Sequence, residues 1–383
     1  MVKRIALTGG PCAGKTTALV RVLETLSEAG YLVGYCEETA TRLISQGLNP
    51  RILGIEFQRL ILREQLHAED LMASGLAAYP GTNKRILVCD RGIMDVAAYT
   101  TPEEFEMLIK EMGFNRVALL DRYQWVGHLV TAADGAETFY TKTNNDARSE
   151  SIEEARRLDK RTQEAWQGHP HARYAIIDNA TDFDGKLRRL RAAMERGLGI
   201  AEALQIERKF VLEKPPHISA IPPHEEIEIE QAYLQNPGDI EDRIRKWRHR
   251  GGVLYTRTFK LPKEKPLTRI RREEPIMERE YYRLRGLRIL EGLEPLGKHR
   301  FCFAYANQHC RLDVFTAPSH LIGMAVLEIE PLEAIDKVKI PSFIGSVTEV
   351  TDDARYTNRR LYEERAPASK QLHGGGWRFW RRK

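Results

Sequence analysis

The run Gly9-Gly10-Pro11-Cys12-Ala13-Gly14-Lys15-Thr16 satisfies G-x-x-x-x-G-K-[ST] without a misfit. Before it stands Ile5-Ala6-Leu7, an apolar run that reads as a short buried strand, and after it Thr17-Ala18-Leu19-Val20-Arg21-Val22-Leu23 has helical spacing. A strand that turns through glycines into a helix lets backbone N–H groups close around phosphate oxygens, with the helix N-terminus adding partial positive charge. In that geometry Gly9, Gly14, Lys15, Thr16 and Thr17 are the expected nucleotide contacts. Lys15 reaches the β- and γ-phosphates, and the Thr16 hydroxyl is placed to ligate Mg²⁺.

At 383 residues the chain exceeds a typical single core and, at roughly 150 residues per domain, calls for two domains or three. Up to about Gly199, apolar strands at 4–7, 33–36, 86–89, 117–120 and 174–177 alternate with helical stretches such as 55–74 and 151–167, the pattern of an α/β, mostly parallel sheet with flanking helices. Asp182 is an expected N-cap for a helix stopping near Gly197 or Gly199. After Leu204 short segments alternate charged and apolar residues, at 206–212, 226–233, 242–248, 253–260, 301–306, 310–315 and 324–329. The expected division is therefore 1–199, 200–365, and a basic aromatic tail at 366–383.

No apolar run approaches the roughly 20 residues of a membrane span, and Met1-Val2-Lys3-Arg4 leads into a strand and not a signal peptide, so a cytoplasmic location is expected. The five cysteines are odd in number and lack C-x-x-C pairing, which favours reduced thiols over disulfides or zinc. The net charge of +5 is modest, but Arg and Lys concentrate on the strands of the second half.

In the first half, Arg85-Ile86-Leu87-Val88-Cys89-Asp90-Arg91 is an apolar strand ending in Asp-Arg. Asp90 is expected to hold Mg²⁺ through water and Arg91 to face a phosphate. Glu37-Glu38 ends the second strand, on the sheet edge where ligands bind, and Glu38 is the expected general base. The run 144–150, with Arg148, precedes a helix bearing Arg156, Arg157, Lys160 and Arg161 and reads as a lid whose arginines neutralise a transferring phosphoryl group. Over residues 1–198 these features resemble the P-loop NTPases and kinases, AAA, nicotinamide riboside kinase-like and thymidylate kinase-like domains among them. The resemblance implies ATP or GTP as ligand, Mg²⁺ or Mn²⁺ as cofactor, and Lys15, Glu38 and Asp90 as catalytic residues.

Residues two apart on a strand share a face, so Glu207 and Lys209, Arg243 and Arg245, Lys298 and Arg300, and Glu328 and Glu330 point together. If the strands close into a barrel, Arg and Lys line part of the lumen and grip phosphates, while carboxylates hold Mg²⁺ or Mn²⁺ and activate water. Gln205-Ile206-Glu207-Arg208-Lys209 resembles the opening E-x-E-x-K strand of the CYTH superfamily, the triphosphate tunnel metalloenzymes. Further matches follow in order at 231–234, 243–245, 255–260, 271–274, 298–300, 311–315 and 327–330. The resemblance implies an α+β domain built on an antiparallel β-barrel. Lys209, Arg243, Arg245, Lys260, Arg271, Lys298, Arg300 and Arg311 would grip triphosphate, Glu207, Glu328 and Glu330 would hold the metal, and Glu207 and Lys209 would be catalytic. Gln205 departs from the pattern: an amide is a poorer ligand for a hard cation, so the tunnel either hydrolyses a triphosphate or binds polyanions as a sensor.

The order of the two halves also resembles the TRPL translocation defect proteins, which implies a trafficking or phosphoinositide role. Trp377-Arg378-Phe379-Trp380-Arg381-Arg382-Lys383 is suited to an anionic membrane surface. Nucleic acid is not an expected partner; nucleoside triphosphates and polyphosphates are.

Overall fold

The computed structural model describes residues 2–81, 84–140, 151–169, 174–200, 208–235, 241–261, 270–288, 293–329 and 338–363. Five parallel strands come first: β1 (Lys3–Gly9), β2 (Leu32–Cys36), β3 (Arg85–Asp90), β4 (Trp125–Leu129) and β5 (Tyr174–Ile177), in the order β2-β3-β1-β4-β5. Their crossovers carry α1 (Lys15–Glu28), α2 (Thr39–Ser45), α3 (Pro50–Leu53), α4 (Ile55–Ala78), α5 (Pro102–Glu111), α6 (Arg116–Asp121) and α7 (Ile152–Ala165), and α8 (Phe183–Leu198) follows β5. The central positions of the strands are mostly apolar because helices cover both faces. Ala6, Leu87, Cys89 and Val126 pack into one layer, and Ile5, Leu7, Ile86, Val88 and Leu129 into the other. The connection after β1 runs to β2 on one side of the sheet and the connection after β3 runs to β4 on the other, so a crevice opens at the C-terminal ends of β1 and β3.

The local signals place most helix ends. Ser151 and Glu154 form a reciprocal capping box on α7, Asp182 accepts from the Gly185 N–H, and α8 stops at Gly199 in the left-handed region. One expected strand is wrong. Residues 117–120 lie in α6, where the Asn115 side chain accepts from the Ala118 N–H, and the fourth strand is the fully buried Trp125–Leu129. Two short apolar runs a few residues apart are not separable by periodicity, and the cap decided the first.

The second half is one antiparallel sheet of nine strands: β6 (Arg208–Leu212), β7 (His224–Tyr233), β8 (Glu241–His249), β9 (Gly252–Leu261), β10 (Ile270–Pro275), β11 (Leu296–Tyr305), β12 (Gln308–Ala317), β13 (Ala325–Ile329) and β14 (Val347–Glu349). Their order is β10-β9-β8-β7-β11-β12-β13-β6-β14. Cross-strand register settles which side chains share a face. Glu328 pairs with Arg311 and Lys209, Asp313 with Arg300, Arg245 with Gln231 and Thr256, and Arg243 with Tyr233 and Thr258. The charged residues thus stand on one inner face. The opposite face of β6, β11, β12 and β13 buries Phe210, Phe301, Phe303, Leu312 and Leu327 under Ile344 and its neighbours. Against the outer side of β7, β8 and β9 packs α9 (Glu278–Arg288), through Tyr281 and Leu284. One end of the inner face is apolar, where Leu361 and Tyr362 of α10 (Asn358–Glu363) meet Tyr233, Leu296, Phe315 and Val326.

The two sheets meet across a buried seam. Arg116 of α6 donates to the Ala165 carbonyl and pairs with Glu225 of β7 at 3.2 Å, and Glu225 also accepts from His249 and, in a two-pronged contact, from Arg250. Gly168, just after α7, faces Ile227, Glu225 and His249 closely enough that a Cβ would touch them. Among the described residues no helix is long and apolar enough to cross a membrane.

Candidate functional site

The phosphate loop follows β1 at the sheet's crevice. Gly9 sits at φ 144, where a Cβ would fall 2.1 Å from the Leu129 carbonyl oxygen, and Gly14 at φ 84, where one would lie 2.5 Å from the Phe183 ring. With Cys12 also at positive φ, the loop turns back on itself and enters α1 at Lys15. The Lys15 ammonium donates to the Gly9 and Gly10 carbonyls at 3.1 and 3.0 Å, and burial, with Arg91 nearby, lowers its pKa to about 8. Thr16 and Thr17 are exposed at the helix start. Lys186 of α8 braces the loop from beneath, donating to the carbonyls of Ala13 and Val130.

Asp90 ends β3 opposite Leu7, so it lies beside the loop. Burial raises its pKa against the pull of Lys15, and its Oδ1 is buried without a hydrogen-bond partner. An orphaned carboxylate oxygen at the strand end next to the loop fits a hydrated divalent cation. Arg91, at φ 67, directs its guanidinium to Glu38 and, at 3.0 Å, to Asp95. Burial would raise the Glu38 carboxyl, but Arg91 and Lys15 outweigh it and hold it at about 2. A carboxylate so held is a weak proton acceptor, so the arrangement makes Glu38 a partner of Arg91 before it is a base. In the lid helix, Arg156 donates to the Ala133 carbonyl and Arg161 to that of Thr100, so both bind the protein's own loops. Arg148 lies outside the described residues.

The inner face of the antiparallel sheet carries a dense charged cluster. Asp313, 1% exposed, accepts from Lys298 and takes both prongs of Arg300 at 2.6 and 2.7 Å. Arg300 also donates to Glu328 at 3.0 Å, and Arg311 and Lys209 each approach Glu328 at 3.6 Å. Burial would raise both carboxyls; Arg300 with Lys298 for Asp313, and Arg300 with Lys209 and Arg311 for Glu328, drive them down instead. Burial lowers the Lys298 ammonium to about 8. Among the described residues, four cations, Lys209, Lys298, Arg300 and Arg311, thus meet two carboxylates. Arg245 bonds Gln231 at 3.4 Å and Arg243 bonds Thr258 at 3.3 Å on the same face. Guanidinium and ammonium groups gathered on one face in this way suit an anion.

Glu207, Glu330 and Gln205 lie outside the described residues, as do the side chains of Lys260 and Arg271, whose backbones pair in register, and the tail. Glu328 is the member of the expected metal set that the structure describes. No group of three or more His, Cys, Asp or Glu residues suited to a metal occurs among the described residues. These residues fit an anion and do not by themselves fit a cation.

Residues 4–184 match the family model of an AAA domain. That half holds the loop, β1, β3 and Asp90 in the arrangement described, as the resemblance to P-loop proteins implies. No curated protein matches the chain. Two solved structures, described as the inorganic triphosphatase NE1496 and the hypothetical protein NE1496, are 27% and 29% identical to it. Each covers 42% of this chain, and 96% and 97% of its own, with TM-scores of 0.31 and 0.32. The PH1819 protein from Pyrococcus Horikoshii OT3 is 18% identical, covers 33% of this chain and 79% of its own, and has a TM-score of 0.24.

Three carboxylates of these sites escaped the sequence reading. Asp95 accepts from Thr8 and from the Trp166 indole as well as Arg91. Asp159 of α7 accepts from the N–H groups of Gly10 at 2.7 Å and Thr131 at 3.0 Å, and contacts His128 at 3.1 Å. Asp313 stands two residues from Arg311, and that spacing alone put it on the inner face.

Proposed function

We propose that the parallel-sheet half binds the triphosphate of ATP or GTP and cleaves or transfers its γ-phosphate, while the antiparallel half grips a second triphosphate or polyphosphate and hydrolyses a phosphoanhydride bond in it. The observation that carries the first part is the loop of Gly9, Gly14 and Lys15 on the strand that pairs with Asp90, whose Oδ1 has no hydrogen-bond partner. Loop N–H groups and Lys15 bind the β- and γ-phosphates; Thr16 and Asp90 would hold Mg²⁺, which when bound neutralises charge developing on the phosphate oxygens. Arg91 swings from Glu38 or Asp95 toward the phosphate as the anion enters. Glu38, released from that pair, then regains basicity for an acceptor hydroxyl or water.

For the second part the carrying observation is the convergence of Lys209, Lys298, Arg300 and Arg311 on one face around Asp313 and Glu328. Arg311 carries a planar donor fork of the kind suited to phosphate oxygens, and Asp313 holds the Arg300 guanidinium beside it. Binding without turnover, a polyanion sensor, is favoured by Gln205 and by the three cations that already occupy Glu328. Phosphate release from tripolyphosphate separates the two readings. Release that Glu328→Ala abolishes and Lys15→Ala spares supports hydrolysis in the tunnel. Binding without release, with a gain of release in Gln205→Glu, supports the sensor. The cytoplasmic location and the membrane role of the tail remain part of this proposal, the latter tested by liposome binding with and without residues 366–383.

A further inference from the structure

α7, which holds the phosphate loop through Asp159, also touches the charged sheet. Asp159 of α7 holds the Gly10 N–H of the loop. One turn on, the Gln163 amide donates to Asp159 Oδ2 at 3.0 Å and, from the same nitrogen, approaches Asn307 Oδ1 at 3.4 Å. Asn307 lies in the two-residue turn joining β11 to β12, the strands that carry Lys298, Arg300, Arg311 and Asp313. Its own amide reaches Asp134, which follows β4. A second contact converges on the same place. The Tyr174 hydroxyl donates to the Gln163 carbonyl at 3.3 Å, and its ring packs edge-on against His309, which shares the inner face of β12 with Arg311 two residues away. All of these groups are buried except the turn and Asp134.

We infer that occupancy of the charged inner face and occupancy of the phosphate loop are energetically coupled, with Asp159 as the positioning residue and Gln163 as the junction. An anion drawn onto Arg300 and Arg311 shifts β11 and β12 against α7. Asp159 then holds Gly10 differently, and the loop's affinity for phosphate changes. Linkage makes the effect reciprocal: each ligand alters the other's affinity by the same factor. Coupling of this kind amounts to about 5- to 150-fold in affinity. The inference rests on the two-site reading above, and the test keeps the two apart.

Asn307 has φ 57 and its neighbour Ala306 φ 50, a pair of left-handed residues that glycine accepts readily. Asn307→Gly therefore deletes the amide and keeps the turn. The probe for the loop is Mg·ADP, which lacks a triphosphate, titrated calorimetrically into the full chain with and without saturating tripolyphosphate at fixed free Mg²⁺. In the wild type the ADP Kd is expected to change at least about fivefold. In Asn307→Gly the change is expected to fall below twofold while each ligand alone binds within twofold of wild type, and in Gln163→Ala the change is likewise expected to fall below twofold. A wild-type factor near one with both ligands bound overturns the inference, as does an undiminished factor in both variants. A factor that survives Arg311→Gln overturns it too, because tripolyphosphate is then competing at the loop itself. If tripolyphosphate does not bind the wild type at all, the two-site reading fails and the coupling falls with it.

Discussion

Removing the Glu225 carboxylate tests how firmly the two halves are joined. Arg116 and Glu225 are 4% and 7% exposed, and His249, which donates to Glu225, is 1% exposed. In Glu225→Ala the Arg116 guanidinium keeps the Ala165 carbonyl but loses its counter-charge, while Arg250, with 39% of its side chain exposed, turns to water. Breaking a buried pair costs about 3–5 kcal/mol, and the surviving partners put this case near the lower end. Titration gives a second route to the same size. Burial would raise the Glu225 carboxyl, yet Arg116 and His249 lower it from 4.5 to about 2. The difference of 2.5 units at 1.36 kcal/mol each is about 3 kcal/mol. Because the folded pKa is depressed, this stability is fully present above about pH 4.5 and is lost as pH falls toward 2. The assay is calorimetric melting of wild type, Glu225→Ala, Arg116→Met and the double variant. At ~2–4 °C per kcal/mol for units of this size, Glu225→Ala should melt about 6–12 °C lower, with Arg116→Met recovering much of the loss. Additive single losses, or a shift under 2 °C at pH 7, refute the reasoning.

Gly14→Ala forces a Cβ into the Phe183 ring at a backbone angle that only glycine accepts readily, and nucleotide affinity measured by calorimetry should fall at least tenfold. Asp90→Asn should leave metal-free ADP binding near wild type while removing the gain that Mg²⁺ confers, read by titrating Mg²⁺ at fixed ADP. Burial, with Arg91 for Lys15 and against Asp313 for Lys298, sets both ammonium groups to titrate near 8. Each is charged below that pH, so affinity for ADP and for tripolyphosphate should hold to about pH 7 and decline through pH 8–9. The decline for ADP should vanish in Lys15→Ala and that for tripolyphosphate in Lys298→Ala. Asp313→Asn frees Arg300 from its two-pronged anchor and should weaken tripolyphosphate binding several-fold, without changing ADP binding when tripolyphosphate is absent.

Much of this molecule is written locally. The glycines of the loop, the Asp182 cap and the Ser151 capping box act within a few residues, and an observer of the sequence finds them by spacing. The paired charges Lys298 and Arg300 on β11 are equally legible, since period two fixes their face before any partner strand is known. What was not legible depends on distant neighbours. Residues 117–120 and 125–129 are both apolar, and only the Asn115 cap and the sheet's central slot separate helix from strand. Asp159 reads as one charge on a charged helix, yet it is 3% exposed because Gly10 and, from β4 and its end, His128 and Thr131 surround it from two other segments. Glu38 reads as a general base at a strand end, and the Arg91 guanidinium that suppresses its basicity arrives from β3, 53 residues away. Contacts that close over such separations leave no periodic trace.

Two distinct phosphate sites on one chain, even when coupled, are separated by a crossed measurement. Nucleotide turnover and tripolyphosphate binding are measured on wild type, Lys15→Ala and Arg300→Ala. The account predicts that Lys15→Ala abolishes turnover of ATP or GTP and leaves tripolyphosphate affinity within about twofold, whereas Arg300→Ala lowers tripolyphosphate affinity at least tenfold, as expected when a buried charge-assisted fork to phosphate is lost. Loss of both functions in Lys15→Ala, with Arg300→Ala binding tripolyphosphate as wild type does, would place all phosphate chemistry at the loop and contradict the account.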